Sequence, residues 1–293
     1  MASALMQSAA GPREVYNVPH RVPWHWQVPA YLVTKAVGTG LFMTVAAFLL
    51  GLDTPPSALA VLPLVLSLIF IAITTGLLIW DLDQPRRFYY MLIRPQWRSW
   101  LTRGAFILIG FSGLAALILL MHLLALTEMV QVLSWLGIPV AMLAAVYTAF
   151  LFAQAEGRDL WRSPLLPFHL FVQSIMAGAA GFMVMKPVVV NMGEEITLLF
   201  AVSLIVNLLL TIGGEFAVPH ASQVAAAAHM ITHGRYRRWY WASVIGGLVL
   251  PLVLVGLAGT VAIALSIAGL LAIGGLYAYE WAFVMAPQQV PNN

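Results

Sequence analysis

The sequence predicts an all-α polytopic membrane protein, a bundle of about eight transmembrane helices with both termini on one side, and three observations predict it. Of the 293 residues, 61% are hydrophobic and only 9% are charged. Apolar runs of about 20 residues recur along the chain, long enough at ~1.5 Å per residue to cross ~30 Å of hydrocarbon. Twelve of the fourteen Lys and Arg residues fall in the N-terminal segment or in every second connection after it; Lys35 and Lys186 are the exceptions. A water-soluble domain of this length needs a much more polar exterior. Barrel strands would alternate in polarity, and these runs do not.

The runs place helices at about 28–50, 58–80, 103–126, 130–154, 167–187, 195–218, 239–257 and 259–280. Residues 1–27 read as an extramembrane arm, 28–285 as one transmembrane domain and 286–293 as a C-terminal tail. No apolar stretch follows Met1 before Arg13, Pro19 and Pro23, so the arm does not read as a cleaved signal peptide. The first helix follows Trp24, His25 and Trp26; the second ends at Trp80 and Asp81; the third opens at Arg103. Only Gly256-Leu257-Ala258-Gly259 separates the last two spans. As a turn, this stretch keeps the termini together; as a kink within one span, it sends the C-terminus across.

The side holding the N-terminus is termed side A. It carries Arg13 and Arg21, then Arg86, Arg87, Arg94, Arg98 and Arg103, then Arg158 and Arg162, then Arg235, Arg237 and Arg238. Side B has Lys186 beside Asp53, Glu128, Glu194 and Glu195. The positive-inside tendency places side A, with both termini, in the cytoplasm of a bacterial inner membrane. Arg also suits fixed, multidentate protein contacts, so the same rim reads as a docking surface.

Polar groups gather at the side A level. Lys35 sits about two turns inside helix 1, where it either snorkels to the surface or faces a protein-lined cavity. In a cavity, Glu215 near the side A end of helix 6 offers it a partner. His25, Asp81, Arg103, Gln154, Glu156, His169, Gln173, His220 and Glu280 lie at similar depth, among Trp24, Trp26, Tyr31, Trp80, Phe88, Trp97, Trp100 and Phe168. Aromatic rings are ordinary interface anchors. Mixed with His, Lys and carboxylates, they also suit a ring with two carbonyl oxygens and an apolar tail, which describes a quinone. A His or carboxylate near neutral pKa can pass its protons.

Zero cysteines exclude disulfides and Cys-ligated clusters, so any iron–sulfur centre must sit on a partner. Bis-His haem requires facing imidazoles, whereas His122 is at side B and His169 at side A; the reading is haem-free, with no metal site. Gly178-Ala179-Ala180-Gly181, Gly213-Gly214, Gly246-Gly247 and Gly274-Gly275 read as close-packing surfaces between helices. Thr39, Thr44, Thr74, Thr75, Ser112, Ser203 and Asn207 suit a water-filled passage through the bundle, but isolated hydroxyls more often bond to their own helix backbone, and that is the reading taken for them.

The stretch Trp80-Asp81-Leu82-Asp83-Gln84-Pro85-Arg86-Arg87-Phe88-Tyr89-Tyr90, with Pro95, Ser99-Trp100-Leu101 and Arg103-Gly104-Ala105, resembles the segment joining spans 2 and 3 in the NrfD/PsrC-like family of membrane anchors. Tyr31 through Gly40 is similar to that family's first helix. Glu215 through His220 with Gly234-Arg235-Tyr236 resembles its span 6 to 7 connection, and Tyr279-Glu280-Trp281 with Ala286 through Asn292 resembles the tail of some members. The resemblance implies a haem-free membrane anchor and quinone-binding subunit of an oxidoreductase complex, using menaquinone or ubiquinone. Its expected partners are a four-cluster iron–sulfur protein and a molybdopterin catalytic subunit.

On this reading His25, Lys35 and Glu215 are the candidate catalytic residues. His25, Trp26, Tyr31, Lys35, Tyr147 and His169 are candidates for holding the quinone, with Tyr147 implied by the family's Tyr in that helix. Asp81, Arg86, Arg87, Arg98 and Arg103 are candidates for docking the partner. A secondary transporter and a purely structural anchor are the competing functions. A transporter calls for inverted repeats around a midplane site, and the charges here favour one rim.

Overall fold

The computed structural model describes residues 24–51, 57–155, 158–188, 194–214, 222–258 and 261–290. Arg13, Arg21, Asp53, Glu156, Glu215 and His220 lie outside these residues, so the proposed Lys35–Glu215 pairing does too.

The helices are α1 (Gln27–Gly51), α2 (Ser57–Trp80), α3 (Phe88–Ile93), α4 (Trp100–Leu123), α5 (Thr127–Ala153), α6 (Leu166–Met185), α7 (Glu194–Leu209), α8 (Ser222–Thr232), α9 (Arg237–Trp241), α10 (Leu250–Ala258) and α11 (Ala262–Met285). A π-helical turn over Leu210–Gly214 continues α7, and a π-helical stretch over Ala242–Val249 joins α9 to α10. Eight segments among the described residues are long and apolar enough to cross a membrane. The short helices α3 and α8 belong to side A connections.

Helices α1 and α6 form the interior. Their spans are 83% and 72% buried, against 33% to 44% for the other six. Helix α1 packs on α2, α5, α6 and α11; α4 lies on α5, and α7 on α6. Lipid tails are as apolar as the helices, so association depends on close packing. Where α1 crosses α6, a Cβ on Gly40 would lie 1.8 Å from the Ser174 carbonyl oxygen, and one on Gly178 would lie 2.1 Å from the Gly40 carbonyl carbon. Gly247 and Gly275 bring the π-helical stretch against α11 in the same way, with a Cβ on Gly275 only 2.2 Å from the Gly247 Cα. A Cβ on Gly213, Gly246 or Gly274 would meet nothing within 4 Å, so these three expected packing glycines do not serve in that role.

Helix α4 begins at Trp100 and α5 at Thr127, each three residues before the position expected from hydropathy. The turn between them is tight because Ala125 adopts φ 56° and its N–H donates to the His122 carbonyl. Left-handed backbone at a residue other than Gly costs roughly 1–2 kcal/mol, which is why sequence alone does not mark this turn. Helices α10 and α11 are separate and pack on each other, so the chain reverses direction between them. Helix α11 runs to Met285 and carries Glu280 inside the helix rather than at its end.

The first and last described segments meet on side A. Trp24 N donates to Gln288 Oε1 at 3.0 Å, and Gln288 Nε2 donates to the Trp24 carbonyl at 3.1 Å. Arg158 Nη1 donates to the Val290 carbonyl at 2.8 Å, and Trp161 Nε1 to that of Phe283 at 3.1 Å. The Trp24 ring packs on Trp161 and Phe152 with centroids 4.5 and 4.8 Å apart. Together these contacts hold the start of α1 against the connection between α5 and α6.

Candidate functional site

Lys35 lies eight residues past the start of α1, roughly 12 Å along the axis. It is 1% exposed, so it faces the protein interior and does not snorkel. Its Nζ donates to the Ala145 carbonyl at 2.8 Å and to Thr148 Oγ1, both on α5. An ammonium has three donors, and one remains after these bonds. Between the two acceptors in sequence stands Tyr147, whose ring centroid is 4.9 Å from Lys35 Nζ, within range of a cation–π contact.

Tyr147 is fully buried against α4 at Gly104, where a Cβ would lie 2.2 Å from Tyr147 Cε2. The missing side chain at Gly104 makes room for the ring. Tyr147 Oη has no hydrogen-bond partner among the described residues. Leaving a buried hydroxyl unsatisfied costs about 1–3 kcal/mol. A buried cation with a spare donor thus stands beside an unmatched phenol, and both suit a ligand that presents acceptor oxygens.

Tyr31 precedes Lys35 by one turn on α1 and is also buried. Glu280, buried on α11, exerts its field on both Tyr31 and Lys35, and the Asp81 charge acts on Tyr31. One electrostatic cluster therefore spans α1, α5, α11 and the residues after α2. Thr34 and Thr74 share a hydrogen bond of 2.8 Å that ties α1 to α2 beside it. Of the hydroxyls in the sequence reading, Thr39, Thr74, Thr75, Ser112 and Ser203 bond to carbonyls of their own helices, whereas the buried Thr44 Oγ1 meets no hydrogen-bond partner among the described residues.

Toward the surface, His25 is exposed and Trp26 packs edge-on against Trp80, with centroids 5.5 Å apart. Half-buried Asp81 follows Trp80 directly. Burial pushes its carboxyl up to about 6; the His25 charge opposes this shift and the Asp83 charge adds to it. Sequence position suggests the docking surface for Asp81, and the structure places it within the field of His25 and Asp83, with its own charge acting on Tyr31.

His169 is buried on α6 within a network of its own. Its Nε2 lies 2.8 Å from Asn207 Oδ1 on α7, and Tyr279 Oη on α11 is 3.4 Å from its Nδ1. These contacts suit a tautomer that donates from Nε2 and accepts at Nδ1. Gln173 Nε2, one turn along α6, lies 3.4 Å from the same His169 Nε2, and in this tautomer the two face each other as donors and share no hydrogen bond. Asn207, an isolated polar side chain in the sequence, is thus the partner of His169.

The connection after α2 carries the basic rim. Arg86 and Arg87 occupy an exposed 3-10 turn, Pro85–Arg87. Gln154 pins the start of α4: its Oε1 accepts from Trp100 N at 2.9 Å, and its Nε2 donates to the carbonyl of Arg98, whose side chain is exposed. Arg103 stacks over Trp100 at 4.8 Å, and its Nε donates to the Trp97 carbonyl. Among the described residues no group of three or more His, Cys, Asp or Glu could hold a metal ion.

Residues 14–292 match the family model described as polysulphide reductase, NrfD. The chain belongs to the NrfD family. A similar protein is the C subunit of the polysulfide reductase of Wolinella succinogenes, 25% identical over 280 residues, covering 85% of this chain and 87% of the relative. NrfD-family proteins are membrane subunits of oxidoreductase complexes, and the apolar spans, the absence of cysteine and the one-sided rim of this NrfD-family member accord with a multi-pass membrane anchor. The sequence names neither the partner of Lys35 nor that of His169. Thr148 carries no signal beyond its spacing from Tyr147; Glu280 falls where hydropathy suggests a helix end; Asn207 stands among isolated polar side chains.

Proposed function

We propose that this chain is the membrane anchor and quinone-binding subunit of a multisubunit oxidoreductase. It exchanges two electrons between the quinone pool and a partner iron–sulfur protein, with coupled protonation. The observation that carries this reading is the buried Lys35 ammonium, with a donor to spare, beside the unmatched hydroxyl of Tyr147. The NrfD match supplies the redox context.

Menaquinone and ubiquinone both carry two carbonyl acceptors, and when bound, either supplies the two-electron chemistry. Lys35 and Tyr147 act as interior donors to a carbonyl oxygen, and His25 as the outer one. Tyr31 lines the path between them, and the Trp26 and Trp80 rings cover apolar ring surface. His25 and Asp81 exchange protons with the aqueous side, because the Asp81 carboxyl changes state near pH 6. Glu280 balances the Lys35 charge. His169, held by Asn207 and Tyr279, orients α6 and α11 around the cluster.

The electrons come from a partner, since this chain has no cysteine to ligate a cluster. Arg86, Arg87 and Arg98 present exposed guanidinium groups to an iron–sulfur protein, which in turn joins a molybdopterin subunit. Asp81 and Arg103 shape the connection that displays them. By the positive-inside tendency this docking face is cytoplasmic.

The test is purification with native partners, followed by quinone analysis and reduction by the electron donor. Bound quinone and donor-dependent quinone reduction are expected. A complex that retains its iron–sulfur partner yet neither binds nor reduces quinone overturns the reading in favour of a structural anchor.

A further inference from the structure

On the outer face of the bundle, away from the Lys35 cluster, α4 and α5 enclose an open groove of about 550 Å³. Trp97, Trp100 and Arg103 form its side A end, and Ile107, Gly110 and Leu143 line its length. From Arg103 to Gly110 it descends seven residues of α4, about 10 Å into the hydrocarbon. Apart from the guanidinium at its mouth, these lining residues are apolar. Gly110 keeps the floor open, since a Cβ there would meet no atom within 4 Å.

Arg103 is fixed at the groove mouth. Its Nε donates to the Trp97 carbonyl, and its Cζ lies over the Trp100 ring, 4.8 Å from the centroid. The Trp97 ring is braced by Phe106, with centroids 4.9 Å apart. The two terminal nitrogens of Arg103 meet no acceptor among the described residues. A guanidinium oriented in this way offers paired N–H donors that match the oxygens of a phosphate. Exposed Arg94 and Arg98 belong to the same connection and add positive charge.

We propose that this groove is a binding site for one anionic phospholipid, with its phosphodiester on Arg103 and an acyl tail running over Gly110 toward Leu143. Charge complementarity selects a phospholipid over a neutral ring, and the apolar floor requires an acyl tail rather than a free phosphate. The lipid fills the seam between α4 and α5 beside the segment that displays the basic rim.

The test uses the intact complex in vesicles of phosphatidylcholine with phosphatidylglycerol, and spin-labelled analogues of each lipid. Electron paramagnetic resonance then reads the motionally restricted fraction. The wild type is expected to prefer the phosphatidylglycerol label about threefold or more, with the preference weakened by salt. Arg103→Gln brings it close to one. Gly110→Leu, at a position where a Cβ meets no atom within 4 Å, extends into the groove and removes the strongly restricted component, while the thermal midpoint stays close to that of the wild type.

Equal association of both labels with the wild type overturns the proposal. So does a preference that survives in Gly110→Leu, which depends on no contact made by Arg103 and therefore stands even where Arg103→Gln unfolds. Loss of co-purified quinone from Gly110→Leu, with lipid preference intact, assigns the groove to quinone instead and also overturns it.

Discussion

Lys35 on α1 donates from Nζ to the Ala145 carbonyl on α5 across 2.8 Å, joining two spans through a cation at 1% exposure. A charge at this depth is expensive, and here a carbonyl dipole, the Thr148 hydroxyl, the Tyr147 ring face and the Glu280 field offset the cost. Lys35→Met retains the length and apolar stem of the side chain and removes every donor. Charged hydrogen bonds contribute about 1.5–3 kcal/mol, so quinone-linked turnover should fall roughly 10- to 100-fold while the complex still assembles. Steady-state kinetics on purified complex measure this, and normal turnover per assembled complex would confine Lys35 to packing.

Tyr147→Phe separates stability from function. The ring remains against Gly104 and under Lys35, but the hydroxyl without a partner is removed. Relief of an unsatisfied buried group leaves stability unchanged or raises it by about 1 kcal/mol. Loss of a donor to the quinone raises KM about tenfold. Thermal unfolding and quinone titration on the same preparation decide it; a destabilised variant with unchanged KM contradicts the role.

The eight spans are legible in the sequence because each one satisfies the bilayer by composition alone, and the side A rim because charge position follows topology. The partner of Lys35 is not legible. Ala145 offers only a backbone carbonyl, which no side-chain pattern reports, and Thr148 is separated from Lys35 by 113 positions. Glu280 reads as a helix end because hydropathy dips around Trp281, whereas α11 continues to Met285, with the Phe283 carbonyl held by Trp161 from the connection before α6 and the Val284 carbonyl by Gln288 one turn on. Paired glycines announce close packing without saying which member faces a neighbour, so Gly247 and Gly275 are in contact while Gly246 and Gly274 are not.

Those glycines supply a matched experiment. Gly178→Ala inserts a methyl 2.1 Å from the Gly40 carbonyl carbon, and backbone cannot move aside in the way that a flexible side group does. Overpacking of this kind costs typically about 1–3 kcal/mol and sometimes more, so α1 and α6 should separate and the thermal midpoint should drop. Gly274→Ala meets open space and gains helix propensity of up to about 1 kcal/mol. A differential scanning assay in one detergent compares the two variants, and equal midpoints would contradict the crossing.

Asp81 provides the pH test. Its carboxyl keeps its proton to about 6 in the folded protein, mainly through burial, against an unfolded value of about 3.9. Between these values the folded state binds more protons than the unfolded state, so stability falls as pH rises from about 4 through 6. Because Asp81 is only half-buried, solvent screening keeps the effect small. Asp81→Asn removes the titration, so its thermal midpoint should decline less across that window than the wild type's. The same substitution should abolish the limb near pH 6 in the profile of quinone turnover, because the carboxyl that donates below that pH and accepts above it is gone. Parallel profiles in both assays would return Asp81 to shaping the connection after α2.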